Sequence, residues 1–311
     1  MFLILNINSR KYQMSISEIL RKKLEGNSII KVGGAFDSMS AKLVESSGFD
    51  AVWAGSFAIS AVHALPDASI LTMSEFFDAA SNMSSTCEIP IIADCDTGYG
   101  GPSNVRHMVQ KYENAGISSI CIEDKTFPKQ NSLLENGKND LLSQKDFVAK
   151  ILAAKEARND KNLIIIARVE ALISGAGMNE ALNRATAYEH AGADAILIHS
   201  KQKTPDEIFE FVDSWKGSAP IVVVPTTYDS VKISELESHK IKMVIYANQT
   251  LRVAHMAMTR LLEDMIKADH ISDIKDKMST MQDIFNLQQM YDIKNKEKKL
   301  EEELKKLGYI N

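Results

Sequence analysis

A TIM-type (β/α)8 barrel is what this sequence predicts: about eight short β-branched runs recur along it, each is followed by a segment with helical spacing, and no two runs are joined by a hairpin turn. Parallel strands need long crossover connections, so the missing hairpins argue for parallel pairing. The predicted strands are residues 28–32, 51–54, 89–93, 117–122, 163–169, 195–199, 220–224 and 243–247. Between them the grammar of helix, Gly, short turn and strand repeats at Ser47-Gly48, Ala115-Gly116 and Ala191-Gly192, where Gly supplies a left-handed helix end. The helix preceding Gly192, residues 179–191, places Ala181, Leu182, Ala185, Tyr188 and Ala191 on one stripe.

The 311 residues suit one barrel domain, with an N-terminal extension and helix over 1–27, the barrel core over 28–268 and a helical extension over 269–311. Three helices are predicted after the last strand, over 249–268, 277–288 and 293–307. The last is dense in Lys and Glu, and its narrow Leu300, Leu304, Leu307 stripe reads as a solvated helix rather than a coiled coil. A net charge of −5 with acids and bases mixed along the chain leaves no basic face for nucleic acid. Cys87, Cys95 and Cys121 lack metal-ligand spacing and read as packed thiols in a reducing compartment. Residues 1–7 are apolar but too short to span a bilayer, and they lack the flanks of a leader. They are expected to be an extension ahead of the fold of a soluble cytoplasmic protein with no membrane partner.

In a barrel of this kind the site lies at the carboxyl ends of the strands. Strand three ends in Asp94 and Asp96, strand four in Glu123, strand five in Arg168 and Glu170, and strand six in His199. Oxygen ligands without His or Cys favour Mg²⁺ or Mn²⁺ over Zn²⁺. Because Mg²⁺ keeps waters, one direct carboxylate, Asp94, is expected, with the others acting through water; the competing reading is that these acids cap helices or face solvent. Arg168 emerges from an apolar strand and needs an anion, either a substrate group or Glu170. The stretch 125–142 is longer and more polar than a βα connection needs and is read as a lid carrying Lys125, Lys129, Asn131 and Ser132. Neither a Gly-x-Gly-x-x-Gly nor a Gly-Lys-Ser/Thr element is present.

The segments Asp94 to Gly100, Glu123-Asp124-Lys125-x-Phe127-Pro128-Lys129-x-Asn131-Ser132, Ala167-Arg168-Val169-Glu170-Ala171 and His199-Ser200 resemble the phosphoenolpyruvate mutase and phosphonopyruvate hydrolase branch of the isocitrate lyase superfamily. The resemblance implies a barrel whose last helix is exchanged with a neighbouring subunit, usually in a tetramer built as a dimer of dimers, and Mg²⁺ as cofactor. It implies metal positions at Asp94, Asp96 and Glu123, catalytic positions at Asp67, Lys129, Asn131, Arg168 and His199, and substrate-binding positions at Trp53, Gly55, Ser56, Phe57 and Ser132. One departure is visible: the family commonly has Trp-Gly/Ala-Ser-Gly-Leu where this chain has Trp53-Ala54-Gly55-Ser56-Phe57, which leaves an oxyanion to the backbone N–H groups of Ser56 and Phe57.

Superfamily lyases carry a Cys and a His in the lid segment that here reads Pro128-Lys129-Gln130-Asn131-Ser132, so carbon–carbon cleavage is disfavoured. Within the branch, Thr126, the 65–71 loop and 200–208 look hydrolase-like, whereas the hydrolases typically have Thr at the position of Asn131. Asn131 favours the mutase, which makes phosphonopyruvate from phosphoenolpyruvate on a phosphonate biosynthetic route; the alternative is hydrolysis of phosphonopyruvate to pyruvate and phosphate. A catalytically silent barrel acting as a binding scaffold is the reading from another class, and the full polar rim together with the lid motif argues against it.

Overall fold

Eight parallel strands close on themselves in chain order: β1 (Ile30–Ala35), β2 (Ala51–Ala54), β3 (Ile91–Asp94), β4 (Ser119–Glu123), β5 (Ile164–Val169), β6 (Ala195–Ile198), β7 (Ile221–Val223) and β8 (Met243–Tyr246), with β1 pairing β8 to seal the barrel. The computed structural model describes residues 14–310; the apolar run 1–7 lies outside the described residues. These divide into two compact units, through residue 251 and from residue 252. Every strand is flanked by a helix, as the alternating pattern predicts.

Side chains from all eight strands fill the barrel, among them Val32, Ile92, Ile164, Ile166, Leu197 and Ile245, all essentially inaccessible. Leu20 and Leu24 of the helix Ile16–Glu25 join the same cluster. At roughly 25 cal/mol per Å² of apolar surface removed from water, such layers supply most of what holds the parallel strands together.

The strand bounds match the predicted runs closely except at β1, which continues through Gly33 and Gly34. Glycine weakens strands, and here a close backbone approach requires it: a Cβ on Gly34 would lie 2.3 Å from Ala247 O and 2.7 Å from Tyr246 O. Gly192 ends the helix Met178–Ala191 at φ +108°, as expected. On that helix Leu182 is only half-buried, and Arg184 takes a buried place instead, for a reason that lies in its partners.

In the second unit the predicted helix 277–288 is the shorter helix Met281–Leu287, preceded by a 3-10 turn, Ile271–Lys277, that the pattern did not show. Thr280 restarts the chain there: its hydroxyl accepts Asp283 N–H at 3.2 Å while the Asp283 carboxylate accepts Thr280 N–H at 2.9 Å. A last helix runs Met290–Lys306. No helix among the described residues is long and apolar enough to cross a membrane.

Candidate active site

β3 ends at Asp94 and runs into a tight turn in which Asp96 (φ +48°), Gly98 (+86°), Tyr99 (+58°) and Gly100 (+141°) take positive φ. Asp accepts the left-handed region better than most side chains, and Gly98 N–H closes the turn on Cys95 O at 2.8 Å. Lys150, buried on the helix Gln144–Ala157, donates to Thr97 O at 2.7 Å and holds the turn in place. Two carboxylates are thereby fixed side by side. Asp94 Oδ2 accepts from Ser56 Oγ at 2.9 Å and Ser56 N–H at 3.3 Å, and Asp94 Oδ1 accepts Asp96 N–H at 3.2 Å. β4 brings Glu123 to the same rim, its N–H donating to Asp96 O at 2.8 Å.

The loop 125–142 folds back over these acids. Lys129 Nζ lies 2.8 Å from Asp96 Oδ1, 3.0 Å from Asp67 Oδ1, 3.2 Å from Ser56 Oγ and 3.9 Å from Glu123 Oε1. Those three carboxylate oxygens are buried, and the ammonium is ion-paired with Asp96 and Asp67 and stands farther from Glu123. Burial alone would lower the Lys129 pKa, but Asp96, Glu123 and Asp67 overcome it and hold it well above the usual lysine value. Asn131 Nδ2 donates to Asp67 Oδ2 at 2.7 Å. Burial would raise the Asp67 carboxyl, yet Lys129 and Asn131 hold it below its ordinary value.

Arg168 leaves β5 with its Nε 2.5 Å from Glu170 Oε1 and 3.4 Å from Glu123 Oε2, and its Nη2 2.8 Å from His199 Nδ1. The Glu170 partner that the spacing offered is therefore in place. Ser132 Oγ donates to Glu170 Oε2 at 2.6 Å and receives Lys125 Nζ at 2.7 Å and Arg168 Nη2 at 3.2 Å, so the lid lands on this cluster. His199 Nδ1 is also 2.9 Å from Glu170 Oε1; the arginine and the carboxylate select opposite tautomers at one nitrogen.

Burial pushes the His199 pKa below its usual 6.5, against Glu170 and with help from Arg168. The unfolded chain then binds the extra proton first, so stability falls as pH drops below about 6.5. The loss is at most about 1.4 kcal/mol per pH unit from this group. Urea unfolding at pH 7.5 and 5.5 should show a smaller drop for His199→Gln than for the wild type, and equal drops would assign the acid sensitivity elsewhere.

The predicted set assembles in part. Asp67, Asp94, Asp96, Glu123, Lys129, Asn131, Ser132, Arg168, His199 and Ser56 form one rim linked by the contacts above, buried except for the partly exposed Asp67, Asn131 and Arg168. Trp53 is packed in the barrel interior, Gly55 N–H donates to Ala35 O at 3.4 Å, and the Phe57 side chain is 41% exposed. Ser56 N–H is directed to Asp94 instead of a free oxyanion position.

Five carboxylates, those of Asp67, Asp94, Asp96, Glu123 and Glu170, meet three cations, Lys125, Lys129 and Arg168, which leaves an excess of two formal negative charges. Burial, with Asp94, Asp67 and Glu123 adding repulsion, pushes the Asp96 carboxyl up to about 7 in spite of Lys129. An all-oxygen donor set with buried carboxylate oxygens on Asp67, Asp96 and Glu123 fits a hard divalent cation. Among the described residues no group of three ligating side chains is placed to hold a metal ion.

A family model described as phosphoenolpyruvate phosphomutase matches residues 20–266. The chain belongs to the phosphoenolpyruvate phosphomutase family. A phosphonopyruvate hydrolase of Variovorax sp. (strain Pal2) is 43% identical over 276 residues, 88% of this chain and 95% of that protein. A crystal structure of phosphoenolpyruvate phosphomutase from Streptomyces platensis subsp. rosaceus superposes with a TM-score of 0.89 at 42% identity, covering 91% of this chain and 98% of that one. A phosphonopyruvate hydrolase in complex with oxalate and Mg²⁺ superposes with a TM-score of 0.86 at 41% identity, with the same two coverages.

Within this phosphoenolpyruvate phosphomutase family member, Arg184, Tyr188 and Lys150 are the site-supporting residues that sequence reasoning missed as polar partners. For the two cations the signal was a charge inside an apolar helical stripe: Arg184 between Ala181, Ala185 and Tyr188, and Lys150 between Phe147, Ile151 and Ala154.

Proposed function

We propose that this chain interconverts phosphoenolpyruvate and phosphonopyruvate by intramolecular phosphoryl transfer. The carrying observation is the closed lid: Lys129 and Ser132 are sealed against the rim, and Asn131 is bonded to Asp67. The enol O–P bond breaks with its electron pair left on oxygen. The methylene carbon of the resulting pyruvate enolate then takes phosphorus, so neither a proton nor water enters the balance. Arg168 and Lys129 neutralise the equatorial oxygens, Asn131 and His199 orient them, and Asp67 faces the departing group. Water is the competing nucleophile, and the lid's work is to exclude it.

Asp94, Asp96 and Glu123 would hold Mg²⁺, with Mn²⁺ a substitute. When bound, the ion supplies positive charge for the substrate carboxylate and the enolate oxygen. The helix Gln249–Met265 exposes Val253, Met256, Met258, Leu262 and Met265, which supports helix exchange between subunits of a homotetramer; a monomer in sedimentation analysis would remove that assembly.

A second reading, hydrolysis of phosphonopyruvate, is favoured by the 43% identity to the Variovorax hydrolase. One phosphorus NMR experiment separates the two. Protein, Mg²⁺ and phosphonopyruvate are expected to yield phosphoenolpyruvate, with turnover lost on chelation and restored by Mg²⁺. Accumulating inorganic phosphate would establish the hydrolase.

A further inference from the structure

Asp124 follows β4, is fully buried, and takes no part in the Lys129 cluster. Its Oδ1 accepts Glu170 N–H at 2.8 Å; its Oδ2 accepts the Tyr188 hydroxyl at 2.7 Å and Arg184 Nη1 at 3.1 Å. Arg184 Nη1 also donates to Leu142 O at 2.9 Å, and its Nε pairs with Glu180 Oε1 at 2.7 Å. The backbone repeats the connection, with Leu142 N–H on Asp124 O at 2.8 Å and Thr126 N–H on Asp140 O at 2.9 Å, flanking an antiparallel bridge between Lys125 and Leu141.

The two ends of the lid are thus zipped into a neck and clamped to the helix Met178–Ala191. This neck leaves residues 127–139 as the stretch of the loop beyond it. The carboxylate that clamps the neck also fixes the backbone of Glu170, the residue on which Ser132 closes at 2.6 Å and to which Arg168 and His199 are tied. Hinge and landing point therefore depend on one buried side chain. Arg184 suits the task because its planar fork reaches a carbonyl and two carboxylates at once, which a lysine ammonium does not match.

We propose that Asp124, held by Arg184 and Tyr188, is the positioning element that sets lid closure in register with the Arg168–Glu170–His199 cluster. The proposal rests on the reading of 125–142 as a lid over a phosphoryl site. Tyr188→Phe removes one hydroxyl while keeping the ring packed on Phe147 at 4.5 Å between centroids, and Arg184→Lys keeps the charge while losing the fork. Ile208→Val, in the buried face of the helix Asp206–Ser214 and outside this network, serves as the control.

Hydrogen exchange of the full chain with Mg²⁺ and oxalate as the probe ligand is read over residues 124–143. Both variants are expected to speed exchange at Thr126 and Leu142 about tenfold and to lower kcat about tenfold with KM changed less. The control should do neither. Exchange in this segment rising no more than in Ile208→Val, or rising equally throughout the barrel, overturns the proposal. The exchange readout needs no turnover, so a wild-type protein inert toward phosphonopyruvate would sink the functional reading and leave this result standing.

Discussion

Arg168→Lys is expected to lower kcat/KM for phosphonopyruvate by about two to three orders of magnitude while leaving the urea midpoint nearly unchanged. The guanidinium lies between two buried carboxylates, 2.5 Å from Glu170 and 3.4 Å from Glu123, and its other edge reaches His199 at 2.8 Å and Ser132 at 3.2 Å. A lysine preserves the counter-charge. It therefore avoids the roughly 3–5 kcal/mol lost when a buried charge is left without its partner. What it loses is the fork: a point charge does not face the carboxylates, the imidazole and the lid hydroxyl in one plane. Arg168→Met, by contrast, should unfold much more readily, because it strands Glu170 and Glu123. Steady-state kinetics beside urea titration separates the two effects. Wild-type kcat/KM in Arg168→Lys would return Arg168 to the role of a structural counter-ion.

The barrel was legible because its signals are local. Each β-branched run is short, and the helices before β2, β4 and β6 run out at a Gly with positive φ: Gly48, Gly116 and Gly192. The exception, the Gly33-Gly34 end of β1, depends on a contact more than 200 residues away in sequence, with Ala247. A single-residue pattern carries no such information.

The site shows the same division. That Asp94, Asp96, Glu123, Arg168 and His199 stand at strand ends follows from the pattern alone. That Lys129 reaches back to Asp67, Asp96 and Glu123 does not, since loop closure is set by tertiary partners. Nor does the use of Ser56 to hold Asp94, which becomes clear only when β2 and β3 are adjacent. Arg184 is the instructive miss. As a helix position it belongs to the apolar stripe, and its burial makes sense only beside the Asp124 carboxylate, 60 residues earlier in the chain.

Gly34→Ala should cost about 3 kcal/mol or more of stability, a fall of about 6 °C or more in Tm for a domain of this size. The added Cβ would stand 2.3 Å from Ala247 O and 2.7 Å from both Ala247 C and Tyr246 O, all backbone atoms that no rotamer moves. Relief requires β1 and β8 to separate along the seam that closes the barrel, where Gly33 pairs with Tyr246 and Val32 with Ile245. It also disturbs the 2.7 Å bond from Thr250 Oγ1 to Gly34 O. Two neighbours supply the scale. At Gly33 a Cβ would press on Val44 Cγ1 at 2.6 Å and on the Phe49 ring at 3.2 Å, side chains that shift, so about 1–3 kcal/mol is expected. At Gly48 it would meet nothing within 4 Å, and the cost is only that of holding Ala at φ +83°, about 1 kcal/mol. Thermal unfolding of the three variants should rank Gly34 above Gly33 above Gly48. Equal losses at Gly34 and Gly48 would show that backbone conformation, not the close passage of β1 against the end of β8, is what glycine serves at the seam.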